Sequence, residues 1–227
     1  YIIFPHDLPC SLGDLASFIS NYSDLKFTFL TCFVNHKCPY SYVVTTCRSR
    51  FFTSELAEFI VLCREQQWSP EQQLGSYAGA MGMSQFMPSN YRRLAVDGNG
   101  DGQVDLFEPV DAIHSIANYF VHHGWELDGP VTSRAAVSAE FDTAVIGKGL
   151  KPNHSVKALA LAGYHPQDKV PAENKARVIR FNDADGDEFW LGYQNFYVIS
   201  RYNPRSKYAM AVYQLSQSIL SAASDAE

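Results

Sequence analysis

The oxygen-bearing residues from Asp97 to Glu108 have the spacing of a cation-binding loop. Asp97, Asn99 and Asp101 take positions 1, 3 and 5 of a calcium loop. Gly102 takes the sharp turn at 6, Gln103 offers a main-chain carbonyl at 7, Asp105 falls at 9 and Glu108 at 12. Oxygens at alternating positions can converge on a hard cation, which prefers an all-oxygen shell. The plainer alternative is a polar Asn/Gly/Asp turn with no metal. A paired calcium sensor is not expected, because no second complete loop is present. Asp183-Ala184-Asp185-Gly186-Asp187-Glu188 repeats half of the pattern, lacks the position-12 ligand and reads as an exposed acidic turn.

Just upstream, Gly75 to Ser89 is Gly-rich with isolated polar groups, which suits a tight backbone lying beside a ligand. Other reactive groups show less pattern. His122 and His123 are adjacent and point to different sides, while His114, His154 and His165 have no partner spacing, so all read as solvated or helix-terminal histidines. Gly82-Met83-Ser84-Gln85 lacks the second glycine of a nucleophile elbow. Of five cysteines, Cys10, Cys32, Cys38 and Cys47 lie early and Cys63 stands apart; their spacing matches no zinc pattern.

The elements that would position these groups can be read in outline. Thr53 or Ser54 is placed to cap a helix with Leu56, Phe59, Ile60 and Cys63 as its buried stripe. Ser69-Pro70 ends it, and Glu55, Glu58, Glu65 and Glu71 read as solvated helix charges. Pro88 opens a turn or a short helix through Tyr91, and Pro109 opens a helix with Ile113, Ile116 and Phe120 inward, stopped by Gly124. Ser155 caps a short helix closed by Gly163. Arg177–Phe181 reads as a strand, and Phe189–Tyr193 and Asn195–Ile199 as strands or buried extended segments. Ser206 caps a last helix with Tyr208, Val212, Leu215 and Ile219 on its apolar face, followed by a frayed tail from Ser221.

The totals bound the function. A chain of 227 residues with 46% hydrophobic and 19% charged residues fits a globular protein with one large domain or a core plus an insert. Its net charge of −6 argues against nucleic acid. Its start, Tyr1-Ile2-Ile3-Phe4-Pro5, does not read as a signal peptide, so a fragment or truncated gene product is expected and the targeting signal is not legible.

Several of these segments together resemble a known family. Gly75–Gly82, Gln85-Phe86-Met87-Pro88-Ser89, the Asp97–Glu108 loop, Pro109–Ile113, Ala117–Phe120 and Gly124-Trp125 look like the membrane-bound lytic murein transglycosylase B family, glycoside hydrolase family 103. Asn195–Ile199, Arg201–Asn203 and Tyr208–Val212 match the same family, so the resemblance covers about 51–223. It implies an α+β, mainly helical fold: a lysozyme-like core with an EF-hand-type calcium loop and a small mixed insert. The corresponding organisation is a core over 51–125, an insert over 126–188, a return to the core over 189–223 and a tail over 224–227. The implied activity is cleavage of the β-1,4 bond between N-acetylmuramic acid and N-acetylglucosamine in peptidoglycan, leaving a 1,6-anhydro sugar. One carboxyl group serves as acid and then base.

Carried onto this chain, the resemblance makes Gln85 a hydrogen-bonding partner of sugar near the cleavage point. Tyr119, Tyr202, Asn203 and Tyr208 face the substrate, and Ser76 and Gly79 shape the loop beneath it. For each tyrosine, core packing is the plainer alternative. Calcium is the implied cofactor, held by Asp97, Asn99, Asp101, Gln103, Asp105 and Glu108. The implied partner is the peptidoglycan glycan strand, met by a monomer in the periplasm or outer-membrane-associated envelope of a Gram-negative bacterium. Membrane association would come through a lipid anchor outside this sequence. A non-catalytic peptidoglycan-binding protein with a structural calcium site is the alternative.

The chain departs from the family where the catalytic glutamate belongs. The family pattern places that residue, in a Gly-Val-Glu-Thr-like segment, near Asn21 to Asp24, yet no glutamate precedes Glu55. Asp24 is a methylene shorter and lacks the surrounding motif. Residues 1–50 contain Ala16 as their single alanine and do not resemble the family, a composition that fits a shifted reading frame or a gene disruption. No catalytic residue is therefore assigned.

Overall fold

A computed structural model describes residues 49–76, 78–183 and 186–225. The expectations for residues 1–48 lie outside this range: the missing acid near Asn21–Asp24 and the four early cysteines. The chain divides into two compact units between Tyr119 and Phe120.

The first unit is helical. Helix α1 (Ser49–Glu65) is followed by a 3-10 turn (Pro70–Gln72), α2 (Pro88–Leu94) and α3 (Pro109–His122). Helix α1 extends to Ser49, so Thr53 and Ser54 lie inside it and do not cap it. Its buried face is Glu55, Leu56, Phe59, Leu62 and Cys63, with Ile60 only half-buried. Burial pushes the Cys63 thiol up to about 11, as expected for a small core residue.

Glu55 corrects the reading of that helix's acids as solvated. Its side chain is 5% exposed, and its two oxygens accept hydrogen bonds from the Ser89 N–H at 3.0 Å and the Ser89 hydroxyl at 2.7 Å. Helix α2 starts at Pro88 with Met87 as an N-cap that offers no side-chain oxygen. A carboxylate from α1 therefore satisfies an orphan donor at the start of α2. Glu58 and Glu65 also have a partner, the guanidinium of Arg92.

Helix α3 reverses its predicted faces. Ile113 is 65% exposed and Ile116 and Phe120 are half-buried, while Asp111, Ala112, Ser115 and Tyr119 are buried. The buried face is polar because it serves main chain. Ser115 Oγ accepts from the Val96 N–H at 3.0 Å, and Asn118 donates to the Leu94 carbonyl at 2.9 Å. Gly124 ends the helix with φ +87°, a conformation that favours glycine.

The second unit is an antiparallel sheet with helices. Strands β1 (Thr132–Val137), β2 (His154–Ser155), β3 (Tyr164–Pro166), β4 (Lys175–Asp183) and β5 (Gly186–Gly192) stand in the order β2-β4-β5-β1-β3. The β4–β5 hairpin pairs Arg177 with Gly192 at one end and Asp183 with Gly186 at the other. Helix α4 (Val156–Leu161) is capped by Ser155, whose Oγ accepts from the Ala158 N–H at 3.2 Å, and Gly163 follows with φ +93°. Leu159, Tyr164, Val178, Leu191 and Tyr193 anchor the core of the sheet.

Two helices complete this unit. Asn195–Ile199 is not extended but lies in α5 (Gln194–Tyr202). Its aromatic and β-branched residues favour a strand, and tertiary contacts override that preference. Asn195 is 1% exposed; it accepts from the Glu126 N–H at 2.8 Å and donates to the Glu126 and Gly129 carbonyls. Phe196 and Ile199 enter a second cluster with Ile179, Ala209 and Met210. The last helix, α6 (Ser206–Ser224), begins after Arg205, so Ser206 is its first residue and not its cap, and it runs through the segment read as a tail. Leu215 and Ile219 are 61% and 62% exposed, contrary to the predicted apolar face; Ala209 and Met210 carry the burial, with Tyr208 and Val212 beside them.

Candidate functional site

The Gly-rich stretch forms a tight turn on a buried base. Met81 and Phe86 pair as an isolated antiparallel bridge, leaving Gly82–Gln85 as the turn between them. Gly82 adopts φ +67° and lies against Leu106, where an added Cβ would come within 2.5 Å of the Leu106 carbonyl oxygen. The Met83 N–H donates to that carbonyl at 2.7 Å. Gln85 is exposed and holds φ +53°, the left-handed region that non-glycine residues rarely occupy. Its side-chain amide donates to the Gly82 carbonyl at 2.9 Å, which fixes the side chain over its own turn. An exposed amide on a strained, clamped turn is preorganised to meet a polar ligand.

Ser76 organises the preceding turn. Its N–H donates to the Ala80 carbonyl at 2.8 Å, and its hydroxyl accepts from the Ala80 N–H at 3.1 Å. Gly79 completes this turn with φ +84°. Tyr119 is 7% exposed with its ring 5.7 Å from that of Phe86, so it packs beneath the turn. The structure thus brings Ser76, Gln85 and Tyr119 into the first unit.

The Asp97–Glu108 loop supports this turn through Leu106. Tyr91 ties the end of the loop down: its hydroxyl donates to the Val104 carbonyl and accepts from the Leu106 N–H, each at 3.0 Å. Burial is the main cause that pushes the Tyr91 hydroxyl up to about 12. Inside the loop, the oxygens of Asp97 accept from the Gly100 N–H at 2.6 Å and the Gly102 N–H at 2.8 Å. Asn99 accepts from the Asp101 N–H, Asp101 from the Gln103 N–H and Asp105 from the Phe107 N–H. Gly100 and Gly102 hold φ +78° and +86°.

Glu108, expected at position 12, and Asp111 take different parts around the loop. Glu108 caps α3, its Oε2 accepting from the Val110 N–H at 2.6 Å and the Asp111 N–H at 3.4 Å. Asp111, one helical turn inward, turns both oxygens to the loop. Oδ1 accepts from the Gly98 and Asn99 N–H groups at 2.9 and 3.3 Å, and Oδ2 from the Asp105 N–H at 2.8 Å. The bonds from Asp105 and Gly98 hold its carboxyl below the usual carboxylate range. Sequence reasoning missed Asp111 because it lies three residues past the twelve-position pattern.

The donor set of the loop is all oxygen, which fits a hard cation in chemistry. Among the described residues, no three His, Cys, Asp or Glu side chains already form a metal cage. The loop oxygens instead pair with backbone N–H groups of the same loop.

The remaining predicted residues belong to the second unit. Tyr202 ends α5, and its ring meets that of Phe120 edge-on at 6.3 Å. Asn203 is the extended C-cap of α5. Tyr208 is half-buried against the Ile179–Phe196 cluster, and burial raises its hydroxyl. Trp125 stacks on Phe120 with ring centroids 5.5 Å apart.

Known proteins share this arrangement of elements. Residues 31–217 match the transglycosylase SLT domain. Membrane-bound lytic murein transglycosylase B of Escherichia coli strain K12 is 43% identical over 172 residues, covering 76% of this chain and 46% of the relative. The chain thus spans about half the length of that curated relative. The structure of catenated lytic transglycosylase SltB1 from Pseudomonas aeruginosa superposes with a TM-score of 0.76 at 41% identity, covering 87% of this chain and 64% of that one. Lytic transglycosylase Slt35 of Escherichia coli in complex with calcium gives 0.74 at 39% identity, covering 87% and 60%. SltB3 from Pseudomonas aeruginosa, in complex with NAG-NAM-pentapeptide, gives 0.66 at 26% identity, covering 86% and 52%.

Proposed function

The chain belongs to the transglycosylase SLT domain family, and from that membership we propose that it engages the glycan strands of bacterial peptidoglycan as a lytic transglycosylase domain. The reaction of such a domain is cleavage of the bond between N-acetylmuramic acid and N-acetylglucosamine to leave a 1,6-anhydro end. The observation that carries this reading is Gln85 on its clamped turn: an exposed amide, held by Gly82 and backed by Leu106, presents hydrogen-bonding atoms to a polar ligand. Ser76 and Gly79 shape the adjacent turn, and Tyr119 packs beneath it. Tyr202, Asn203 and Tyr208 are the substrate contacts proposed from the second unit.

Calcium supplies a rigid clip when bound. Asp97, Asn99, Asp101 and the Gln103 carbonyl would hold it from the loop, with Asp105 nearby and Asp111 closing the site in place of Glu108. This chain's own residues do the positioning: Tyr91 and Leu106 transmit the set of the loop to the Gly82–Gln85 turn. A cation held there would set the loop that backs Gln85.

The absence of any glutamate before Glu55 favours a second reading, in which the chain binds peptidoglycan without cleaving it. The acid required near Asn21 to Asp24 is not supplied by glutamate, and misplacing an acid by a fraction of its length costs orders of magnitude in rate. Incubation with purified peptidoglycan separates the readings. Release of 1,6-anhydro-muropeptides marks catalysis, and sedimentation with the polymer in their absence marks binding alone. The cell envelope, in the periplasm or at the outer membrane, is the location this substrate implies. No helix among the described residues is long and apolar enough to cross a membrane.

A further inference from the structure

In the second unit, Arg177 is a buried cation facing neutral partners. It is 7% exposed; Nη1 donates to Asn153 Oδ1 at 3.0 Å and Nη2 to the Lys148 carbonyl at 3.1 Å. Nε has no hydrogen-bond partner. The guanidinium fits closely under Gly147, where an added Cβ would come within 2.1 Å of Nη2. Buried charges are normally compensated by an opposite charge, because desolvation otherwise costs several kcal/mol.

The surface above it is basic as well. Arg177 holds the loop that presents Lys148 and Lys151, both exposed. Strand β2 forms the sheet edge beside it, with Ser155 opposite Lys175, also exposed. From residue 143 to residue 167 the chain has lysines at 148, 151 and 157 and no Asp or Glu, within a protein of net charge −6. The flanking acids are Asp142, whose Oδ1 accepts from the Ala144 N–H, Asp168, whose N–H donates to Ser133 Oγ beyond β3, and Glu173, in the turn before β4. Two ion pairs of this unit lie elsewhere on the sheet, joining Arg134 to Glu188 and Arg180 to Asp187.

We infer that this β2–β4 edge, with Lys148, Lys151 and Lys175 over Arg177, binds the carboxylates of the peptides borne by the glycan. The inference rests on the peptidoglycan reading and names a second part of the same polymer. N-acetylated sugars in glycosidic linkage offer little charge, whereas a peptide carries a carboxylate at least at its end. A basic patch on an acidic protein is complementary to such groups. Exposed lysines suit a ligand that arrives at varying angles, and Arg177 acts as a positioning residue that shapes the loop from below.

The test compares the full chain with a triple variant, K148A/K151A/K175A, on three materials. These are peptidoglycan with intact peptides, glycan strands stripped of peptides by an amidase and then capped as methylamides at the lactyl carboxylates that this hydrolysis frees, and vesicles of anionic phospholipid. Matching thermal melts establish that both proteins are folded. The inference predicts that Kd for peptide-bearing peptidoglycan rises about fivefold to tenfold at low salt, less at high salt, while binding to stripped strands stays within about twofold. Equal Kd values for parent and variant on peptide-bearing material overturn it, as does an equal loss on both polymers. Loss of vesicle binding with peptidoglycan binding untouched also overturns it and assigns the patch to a membrane. Failure of the parent on stripped strands, with the peptide-dependent contrast intact, removes the glycan reading and leaves this one standing.

Discussion

Two segments of this chain carry nearly the same acidic pattern and fold differently. Asp97-Gly98-Asn99-Gly100-Asp101-Gly102 becomes a loop whose side-chain oxygens fold back onto its own N–H groups. Asp183 and Gly186 of the second segment instead face each other as the last pair of a hairpin. The difference lies in the next element of the chain. Downstream of the first segment a helix places the buried Asp111 against Gly98, Asn99 and Asp105. Downstream of the second, β5 carries Asp187 and Glu188 to Arg180 and Arg134 on neighbouring strands. Spacing supplies the oxygens; a carboxylate from the next element holds the loop that carries them.

The largest effect should come from Asp111. In the parent, calcium at a hundredfold above its Kd should raise Tm by about 5–10 °C. Asp111→Ala should abolish that rise and lower Tm without calcium as well, read by calorimetry with and without chelator. A full calcium response in that variant would break the comparison. Gly82→Ala comes next, since φ +67° and the Leu106 main chain both oppose a Cβ. It should cost about 2–4 kcal/mol in denaturant melts. It should also weaken glycan binding more than calcium binding.

The hairpin should be nearly silent. Replacing Asp187 and Glu188 together with alanine removes two exposed ion pairs and should cost under about 1 kcal/mol. Calcium titration should be unchanged, and a lost response there would place a site in the wrong segment. The smallest effect concerns Cys63. With its thiol raised from 9.0 to about 11, the folded protein holds the proton that the unfolded chain releases first. Its contribution to stability is present below pH 9.0 and declines as pH rises towards 11. Alkylation of the Cys63 peptide, followed by mass spectrometry, should therefore be slow at pH 8 until the protein is unfolded.

Local signals were legible where one residue decides the geometry. Ser155, Gly163, Pro109 and Gly124 each marked a helix end because caps, fixed φ and left-handed φ are single-residue properties. The sheet was half legible: Arg177–Phe181 was found, and its true extent was not. What escaped depends on distant partners. Glu55 looks like any surface glutamate until Ser89, 34 positions away, comes to it. Asn195–Ile199 has strand composition, yet Asn195 is needed by the Glu126–Gly129 turn and the segment winds into a helix. Ile113 was placed inward by periodicity, but the inner face of α3 is reserved for the polar groups that hold the loop. The same reason hid Asp111 behind Glu108.

The central proposal is that the chain engages peptidoglycan through the clamped Gln85 turn of its first unit. The most direct measurement incubates the chain with purified peptidoglycan and calcium, then assays the pellet for protein and the supernatant for muropeptides by mass spectrometry. The expected result is retention on the polymer, with any 1,6-anhydro-muropeptide in the supernatant marking catalysis. Failure to sediment with the polymer would contradict it.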